Sequence, residues 1–256
     1  METRRKNTKN KATLAGNVFD EMGVYWAEIA DKSQTKKQIR FLKNKLNPEG
    51  YVLDLACGTG RHSIPLSKGG YNMVGLDVSG KLLTIAKQCW GEVQVVRGDM
   101  RFLPFKPKAF SAAISMDTSI GYLPSEKEDT LSLAEVKRVV RQGGVLIVDV
   151  FNRIELMTKY KEKISNSKWN EYPSFFLLQN RTVSLDDGWL CDLWTIRDKD
   201  GVKQRFFEHT VRLYGQRELE GLLIRAGFVI NWVYGGYEGE DFSADSLRFI
   251  LLANAK

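Results

Sequence analysis

The feature that most constrains this chain is an alternation of short apolar runs with amphipathic segments between positions 51 and 151. Five apolar runs occur there, and most neighbouring runs are separated by apolar residues at helical spacing. The last run, GGVLIVDVF, is continuously apolar, as expected of a strand buried on both faces. Because strands and helices that alternate in this way form crossover units around a parallel sheet, we predict an open α/β fold.

The pattern changes after position 151. Residues 152–170 are polar and are predicted to be helical, and three strands of alternating polarity follow, separated by turns that contain Asp and Gly. A helix that ends at Gly227 then leads to two last strands. The predicted segments are a disordered basic tail (1–14), a helical lid (15–48), the sheet core (49–151), an α+β insert (152–212), and a return helix with the final strand pair (213–256).

Cysteine and histidine usage excludes two kinds of site. Cys57, Cys89 and Cys191 are odd in number without paired spacing, and His62 and His209 are isolated. We therefore expect neither a disulfide framework nor a metal site. No apolar stretch approaches the roughly 20 residues that cross a bilayer, and no apolar run follows the charges at the start of the chain. The expectation is a soluble, cytoplasmic protein with no membrane partner.

The net charge of +7 is concentrated at the N-terminal end. Residues 1–45 contain eleven basic and five acidic side chains, so this region alone has a net charge of +6. Within it, Lys36, Arg40 and Lys43 form a cationic stripe beside the apolar face of a predicted helix. A polarised basic end is typical of a nucleic-acid-binding protein. A short terminal run of charge is also typical of a solvated tail that only aids solubility, and both interpretations stay open.

The segment DLACGTG, from Asp54 to Gly60, connects the first predicted strand to its helix. Glycines at such a position let the backbone approach a ligand closely, and the N–H groups that open the helix attract an anion. A dinucleotide site requires a third glycine in the G-x-G-x-x-G register. The two positions that would complete this register hold Ser63 and Ala56. The sequence therefore weakens an NAD interpretation without excluding it.

Two further acidic residues end the next two strands. Asp77 ends the second strand, where a carboxylate can accept both hydroxyls of a ribose, and Asp99 follows the third. Asp99 can accept a hydrogen bond from an adenine amino group while Met100 packs on the ring. Because open α/β sheets bind ligands at the carboxyl ends of their strands, these acids and Asp54 form an ordered set that favours a nucleoside cofactor.

At these motifs the sequence resembles the class I S-adenosylmethionine-dependent methyltransferases. The resemblance rests on DLACGTGRH, GLDVS, GDMRFLPF, SMDTSIGYL and RVVRQGGVLIVDVF, which occur in family order. It implies a Rossmann-like, seven-stranded, mostly parallel sheet with a C-terminal antiparallel hairpin and a small antiparallel β insert after the fifth strand. It also implies a core that binds S-adenosyl-L-methionine, an insert that caps the substrate, and a monomer or weak dimer.

The same resemblance implies roles for single residues. Asp54 and the turn with Gly58 and Gly60 would hold the methionine end of the cofactor, and Asp77 would hold its ribose. Arg61, together with the histidine after it, either meets the cofactor carboxylate or faces solvent. The implied cofactor-binding residues are, in chain order, Asp54, Ala56, Gly58, Gly60, Arg61, Asp77, Val78, Asp99, Met100 and Met116.

Methyl transfer needs a nucleophile placed about 3 Å from the methyl group and, for an amine or hydroxyl acceptor, removal of a proton. In this family the residues after the fourth strand lie beside the methyl group. Asp117 can hold an acceptor N–H there or cap the following turn, and Tyr122 can stack, donate or cover the cofactor. Tyr25, from the predicted lid, is the third candidate catalytic residue. Weaker candidates for the acceptor pocket are Trp26, Phe151, Asn152, Tyr214, Tyr237 and Arg248.

Two substrate classes stay open. The basic N-terminal region favours a structured RNA, such as rRNA or tRNA, methylated on a base. However, Asp117-Thr-Ser-Ile departs from the Asn/Asp-Pro-Pro-aromatic element of the methyltransferases that act on base amines. The alternative is N- or O-methylation of a small amine or carboxylate metabolite. A cofactor-binding protein without catalysis is the third hypothesis, and the charge distribution narrowly favours RNA.

Overall fold

The structure is a computed structural model. It describes residues 15–30, 32–90, 94–160, 166–184 and 187–256. The predicted disordered tail, residues 1–14, lies outside the described residues. Within the described ranges, no helix is long and apolar enough to cross a membrane.

The described residues form two sheets and eight helices. The strands of the larger sheet are β1 (Tyr51–Leu55), β2 (Asn72–Asp77), β3 (Gln94–Arg97), β4 (Phe110–Ser115), β5 (Val140–Phe151), β10 (Phe228–Tyr234) and β11 (Arg248–Ala255). Those of the smaller sheet are β6 (Asn166–Glu171), β7 (Phe175–Val183), β8 (Trp189–Asp198) and β9 (Gln204–Arg212). The helices are α1 (Ala15–Met22), α2 (Val24–Ile29), α3 (Lys32–Lys45), α4 (Ser63–Lys68), α5 (Gly80–Trp90), α6 (Glu126–Val139), α7 (Arg153–Tyr160) and α8 (Gln216–Arg225).

The larger sheet has the strand order β10-β11-β5-β4-β1-β2-β3. Strands β1 to β5 pair in parallel, whereas β11 pairs antiparallel with both β5 and β10. The smaller sheet, β6-β7-β8-β9, is antiparallel and follows the fifth strand in the chain. The predicted fold class is therefore confirmed, including the C-terminal hairpin and the β insert.

Helices cover both faces of the larger sheet, which explains why its central strands are apolar throughout. Neighbouring residues of a strand point to opposite faces. Leu53 of β1 accordingly packs with Leu133 and Leu222 of α6 and α8, while Val52 packs with residues of α3 and α4 such as Leu42. Full burial of a side chain of this size contributes about 1.5–3 kcal/mol, so the two faces together stabilise the sheet that positions the site.

The prediction of helix over residues 152–170 is wrong in its second half. Helix α7 ends at Tyr160, and residues 166–171 form strand β6. This strand lies at the edge of the smaller sheet, and Ser167, Lys168 and Trp169 are exposed on it. An edge strand pairs on one side only and tolerates polar side chains on its exposed parts. Its sequence therefore lacks the apolar alternation that would have identified it.

Helices α1 and α2 contact α5, on the side of the larger sheet, and strands of the smaller sheet. Helix α1 packs on β9 of the smaller sheet and on α5 of the larger one, and its Met22 is fully buried. The predicted single helical stretch is broken at Gly23, whose φ of +42° a residue with a side chain rarely adopts. This break turns α2 toward the edge of the sheet at which β1, β2 and β4 end.

Candidate active site

A cavity of about 1290 Å³ lies at the carboxyl ends of the parallel strands. One wall comes from the loops after β1, β2, β3 and β4, the opposite wall from β6, β7 and β8 of the smaller sheet, and helices α2 and α3 contribute a third side. Pockets for one small ligand typically measure about 300–1,000 Å³. The cavity therefore has room for two molecules side by side.

The turn after β1 has an unusual backbone. Ala56, Gly58 and Gly60 all adopt positive φ angles, of 57°, 55° and 81°. The Gly60 N–H donates to the Cys57 carbonyl, which closes the turn, and the Gly58 N–H donates to the Asp77 carboxylate at 2.8 Å. Ala56 and Gly58 line the cavity, whereas Gly60 is buried behind them. The predicted glycine motif therefore shapes a tight backbone cradle at the cavity wall.

Two buried carboxylates, of Asp77 and Asp54, accept hydrogen bonds from the turn and from the helix that follows it. Asp77 accepts the N–H groups of Gly58 and Ser79, each at 2.8 Å, and burial raises the pKa of its carboxyl although both hydrogen bonds oppose the shift. Asp54 accepts a hydrogen bond from the Ser63 hydroxyl at 2.5 Å, and burial raises its pKa to about 7. Both acids line the cavity, as do Val78, Met100 and Met116.

Asp99 also lines the cavity, but it is not a free acceptor. Both of its oxygens accept hydrogen bonds from Arg101 at 2.6–3.0 Å, and this arginine also pairs with Glu128. The guanidinium holds the pKa of the Asp99 carboxyl below its usual range. The sequence predicts an acid that accepts a hydrogen bond from an adenine amino group. The structure shows Asp99 in an ion pair with Arg101 at the cavity wall.

A network of buried polar side chains lies next to the cradle, and Gln38 of α3 is its centre. The Gln38 amide is fully buried and donates to Asp117 at 3.0 Å and to the Tyr237 hydroxyl at 2.9 Å. Its carbonyl oxygen accepts hydrogen bonds from Arg61 at 2.6 Å and His62 at 3.0 Å. We call this set, extended below, the buried network. Gln38 was missed in the sequence, although an amide four residues before Leu42 on the apolar side of α3 was a detectable signal.

Asp117 occupies the start of the loop after β4 with a φ of +55°. It forms an ion pair with Arg61, and it accepts the hydrogen bond from Gln38. Arg61 is thus neither solvent-facing nor free, since it pairs with a carboxylate of the protein itself. Both carboxylate oxygens of Asp117 have partners within the protein, which fixes its position at the cavity wall.

The far side of the buried network is an ion pair between Asp149 of β5 and Arg248 of β11. Arg248 donates to Asp149 at 2.7 Å, and Asp149 also accepts hydrogen bonds from the Tyr237 hydroxyl at 2.8 Å and the Asp117 backbone N–H at 3.1 Å. Thr118 has a φ of +63°, which is rare for a β-branched residue, and its hydroxyl accepts the Phe151 N–H. The strained loop is therefore held by strand β5, through the Asp149 carboxylate and the Phe151 N–H.

Tyr25, predicted for the acceptor pocket, does not line the cavity. Its ring packs edge-on against Phe175, and its hydroxyl contacts Asp198 and Arg205 of the smaller sheet. The next residue, Trp26, faces the cavity instead. Adjacent helical residues point about 100° apart, so sequence position alone could not distinguish them.

Tyr122 lines the cavity, as Trp26 does, and its hydroxyl lies 3.2 Å from Nδ1 of His209 on β9.

Among the weaker candidates, Phe151, Tyr237 and Arg248 line the cavity. Tyr214 and Asn152 do not; Tyr214 donates to Asp129 at 2.6 Å, and the Asn152 amide donates to carbonyls of the loop before β11.

The cationic stripe predicted to bind phosphates is partly neutralised within the protein. Arg40 makes a two-point contact with Glu238 at 2.6 and 2.8 Å, and Lys37 lies 3.9 Å from the same carboxylate. Five further basic residues of the N-terminal region belong to positions 1–14, outside the described residues. Among the residues that the structure does describe, no cluster of His, Cys, Asp and Glu could hold a metal ion.

Comparisons with known proteins agree with this geometry. A family profile described as a methyltransferase domain matches residues 52–144. A relative from Streptomyces venezuelae, dTDP-3-amino-3,4,6-trideoxy-alpha-D-glucopyranose N,N-dimethyltransferase, is 28% identical over 84% of this chain and 91% of its own. An S-adenosylmethionine-dependent methyltransferase from Clostridium acetobutylicum has a similar solved structure, with a TM-score of 0.78, 20% identity, and coverage of 91% of this chain and 96% of that one. The sugar N-methyltransferase KedS8 from Streptoalloteichus is similar with a TM-score of 0.68, 16% identity and 91% coverage of both chains.

Proposed function

This chain is a class I S-adenosylmethionine-dependent methyltransferase, and we propose that it methylates the nitrogen of a small-molecule amine bound in the cavity between its two sheets. The observation that carries the proposal is the cavity itself, because walls from the core, the smaller sheet and the N-terminal helices surround one space. A relative similar over most of both chains is named for N-methylation of an amino sugar nucleotide.

The residues at the cradle fit S-adenosylmethionine by their chemistry. Gly58 faces the cavity, and a Cβ built on it would lie 3.8 Å from the Trp26 indole nitrogen, so a side chain there would take up cavity space. We propose that the backbone around Gly58 holds the amino-acid end of the cofactor, and that Arg61 lies beside it while paired with Asp117. Asp77, fixed by two N–H groups, retains lone pairs for a ribose diol.

The adenine side of the cofactor is proposed to lie against Met100, with Leu82 on the neighbouring wall; both line the cavity. Asp99 lies on the same wall, where the backbone N–H and the guanidinium of Arg101 hold its carboxylate in place. When bound, the cofactor supplies a methyl group on a positively charged sulfur. The protein therefore has to position the acceptor, exclude water and remove a proton.

The acceptor is proposed to occupy the remaining volume, against the smaller sheet. That wall presents Trp194 and Leu177 together with the polar side chains of Asn170, Gln179 and Arg181. An apolar surface with a few convergent polar groups is typical of a small-ligand site. The arginine on that wall, Arg181, is paired with Asp192 within the protein.

The experiment that tests the proposal is transfer of a labelled methyl group into cell extract that is then separated into RNA, protein and small-molecule fractions. We expect the label in small amines. Label confined to RNA would overturn the proposal and support the RNA hypothesis drawn from the N-terminal charge.

The cofactor assignment has its own test. Asp77→Ala removes the acceptor of two buried N–H groups as well as the proposed ribose contact, and an unsatisfied buried group costs about 1–3 kcal/mol. Calorimetry should show cofactor affinity at least about tenfold weaker. Asp187→Ala, at an exposed aspartate, is the matched control and should bind as the unmutated protein does. Equal affinities in the two variants would contradict the assignment.

A further inference from the structure

We infer that Tyr122 and His209 form a proton relay that receives the proton of the acceptor nitrogen, with Asp192 as the residue that orients His209. The inference rests on the proposed function, since it assumes an amine in the cavity. Tyr122 is the catalytic residue, because it would touch the substrate. His209 and Asp192 act through it and are positioning residues.

The relay joins the two halves of the molecule. Tyr122 belongs to the loop after β4 of the larger sheet, and His209 belongs to β9 of the smaller sheet, 87 residues later. The Tyr122 hydroxyl and His209 Nδ1 are 3.2 Å apart, and Tyr122 lines the cavity. The smaller sheet thus contributes a functional group as well as a wall.

The surroundings of His209 determine which ring nitrogen holds the proton. Nε2 has no hydrogen-bond partner within the described residues, and it lies 3.9 Å from an oxygen of Asp192. Arg181 holds Asp192 through two contacts of 2.6 and 2.8 Å. A proton on Nε2 faces this carboxylate favourably, so Nδ1 is the unprotonated nitrogen that accepts from Tyr122. The phenolic oxygen then keeps its lone pairs for an N–H group in the cavity.

Burial keeps both members of the pair neutral. Burial lowers the pKa of His209 to about 4. Arg181 also lowers this pKa, whereas Asp192 raises it. Burial also raises the pKa of Tyr122 well above its usual value. At neutral pH the resting pair is therefore a phenol and an imidazole. A phenolate is not an intermediate, so the two proton transfers occur together.

The bonds and charges balance in a single displacement. The nitrogen lone pair forms the new carbon–nitrogen bond, and the carbon–sulfur bond breaks with its electron pair staying on sulfur. Before this displacement, the proton of the acceptor ammonium passes to the Tyr122 oxygen while the phenolic proton passes to Nδ1 of His209, which leaves the nitrogen lone pair free. The resulting imidazolium lies beside the Asp192 carboxylate, and it returns the proton to water when the product leaves.

Aromatic rings surround the pair. Phe19 packs edge-on against Tyr122, with ring centroids 5.4 Å apart, and against Trp26 at 5.0 Å. Trp194 packs edge-on against His209 at 5.0 Å. All of these rings except that of His209 line the cavity. They exclude water from the transfer path, and their faces attract an ammonium group before it loses its proton.

Variants at the pair supply the kinetic test. With the labelled cofactor and the small-molecule fraction of cell extract as probe, Tyr122→Phe and His209→Asn should each lower the transfer rate about 100-fold at pH 7. His209→Asn retains a polar partner for the phenol but cannot take up its proton. The deficit should shrink as the pH rises, because the amine then loses its proton without help. Tyr51→Phe, at an exposed tyrosine outside the cavity, is the matched control.

The protein has only two histidines, so nitrogen-15 spectra of the full chain test the pair without any acceptor. We expect His209 to hold its proton on Nε2, and Tyr122→Phe to shift the His209 signals while those of His62 stay in place. Rates that are unchanged in the variants, a pH-independent deficit, or a proton on Nδ1 would overturn the relay. Label found only in RNA would instead mark failure of the proposed function, whatever the spectra show.

Discussion

Two polar regions of the cavity wall are built in different ways. The cofactor edge, comprising the cradle with Asp54, Asp77 and Asp99, comes from the ends of three strands within one continuous stretch of chain. The buried network joins helix α3, the turn after β1, the loop after β4, and strands β5 and β11, with Gln38 at its centre and Arg248 at its far side. Local backbone geometry shapes the first, and contacts between distant segments hold the second.

This difference predicts how substitutions in each region affect ligand binding and stability. In the cofactor edge each acid has N–H or O–H donors close by in sequence or on the adjacent strand, so a substitution acts mainly on ligand binding. In the buried network each side chain is the partner of another from a distant segment. Removing one leaves a buried charge or dipole without its partner, so the fold itself is expected to weaken.

The largest expected effect is therefore at Asp149, which is fully buried and accepts hydrogen bonds from Arg248, Tyr237 and the Asp117 backbone. Asp149→Ala removes the carboxylate that Arg248 contacts at 2.7 Å and leaves it only the Thr118 hydroxyl and a 4.0 Å contact with Asp117, and breaking a buried pair costs about 3–5 kcal/mol. Urea denaturation should show a loss of this size in the free energy of unfolding.

The matched control breaks an exposed pair of similar hydrogen-bond geometry. Arg40 and Glu238 are 2.6 Å apart, but both side chains are about half exposed. Arg40→Ala should therefore lower the free energy of unfolding by no more than about 1 kcal/mol. Losses of equal size in the two variants would remove the distinction between the buried network and the surface.

A smaller effect is expected from the pH dependence of the cofactor edge. The folded-state pKa of Asp54, about 7, is raised above its ordinary value of 3.8 by burial. The folded protein thus binds this proton more tightly than the unfolded chain does, so its contribution to stability is full below about pH 4 and is lost as the pH rises through 7.

This contribution can be isolated with Asp54→Asn, which retains a similar shape but does not titrate. The free energy of unfolding of the unmutated protein minus that of the variant should fall between pH 4 and pH 7, in the absence of cofactor. A difference that rises over this range would show that Asp54 is stabilised as an anion. Taking differences cancels the titration of other buried groups, such as Asp129.

The smallest effect concerns the backbone of the cradle. Ala56 has a φ of 57°, a conformation that costs a residue with a side chain about 1–2 kcal/mol. Ala56→Gly relieves this cost but adds freedom to the unfolded chain, so thermal denaturation should show a gain of no more than about 1 kcal/mol. Ala86→Gly, inside helix α5, is the opposite control and should lose at least about 1 kcal/mol. A lower free energy of unfolding for Ala56→Gly would contradict the inference that the backbone of this turn is strained at Ala56.

The larger sheet was predictable because its parallel strands are apolar runs between helices. Each such run can be recognised from its own residues. Strand β6 was not predictable, since its pairing with β7 and not its own composition makes it a strand. Tyr25 and Trp26 show the same limit within one helix. The sequence placed an aromatic pair in the lid, but only the packing of α2 on the smaller sheet determined which ring faces the cavity.

The sequence by itself determined the fold class, the turn after β1 and the acids at the strand ends, because each of these depends on residues adjacent in the chain. Tertiary structure alone decided that Arg61 pairs with Asp117, that Gln38 connects four segments, and that Tyr122 meets His209. A hydrogen bond requires its donor and acceptor to lie about 3 Å apart. Which of the many polar side chains come that close is set by how the sheets and helices pack.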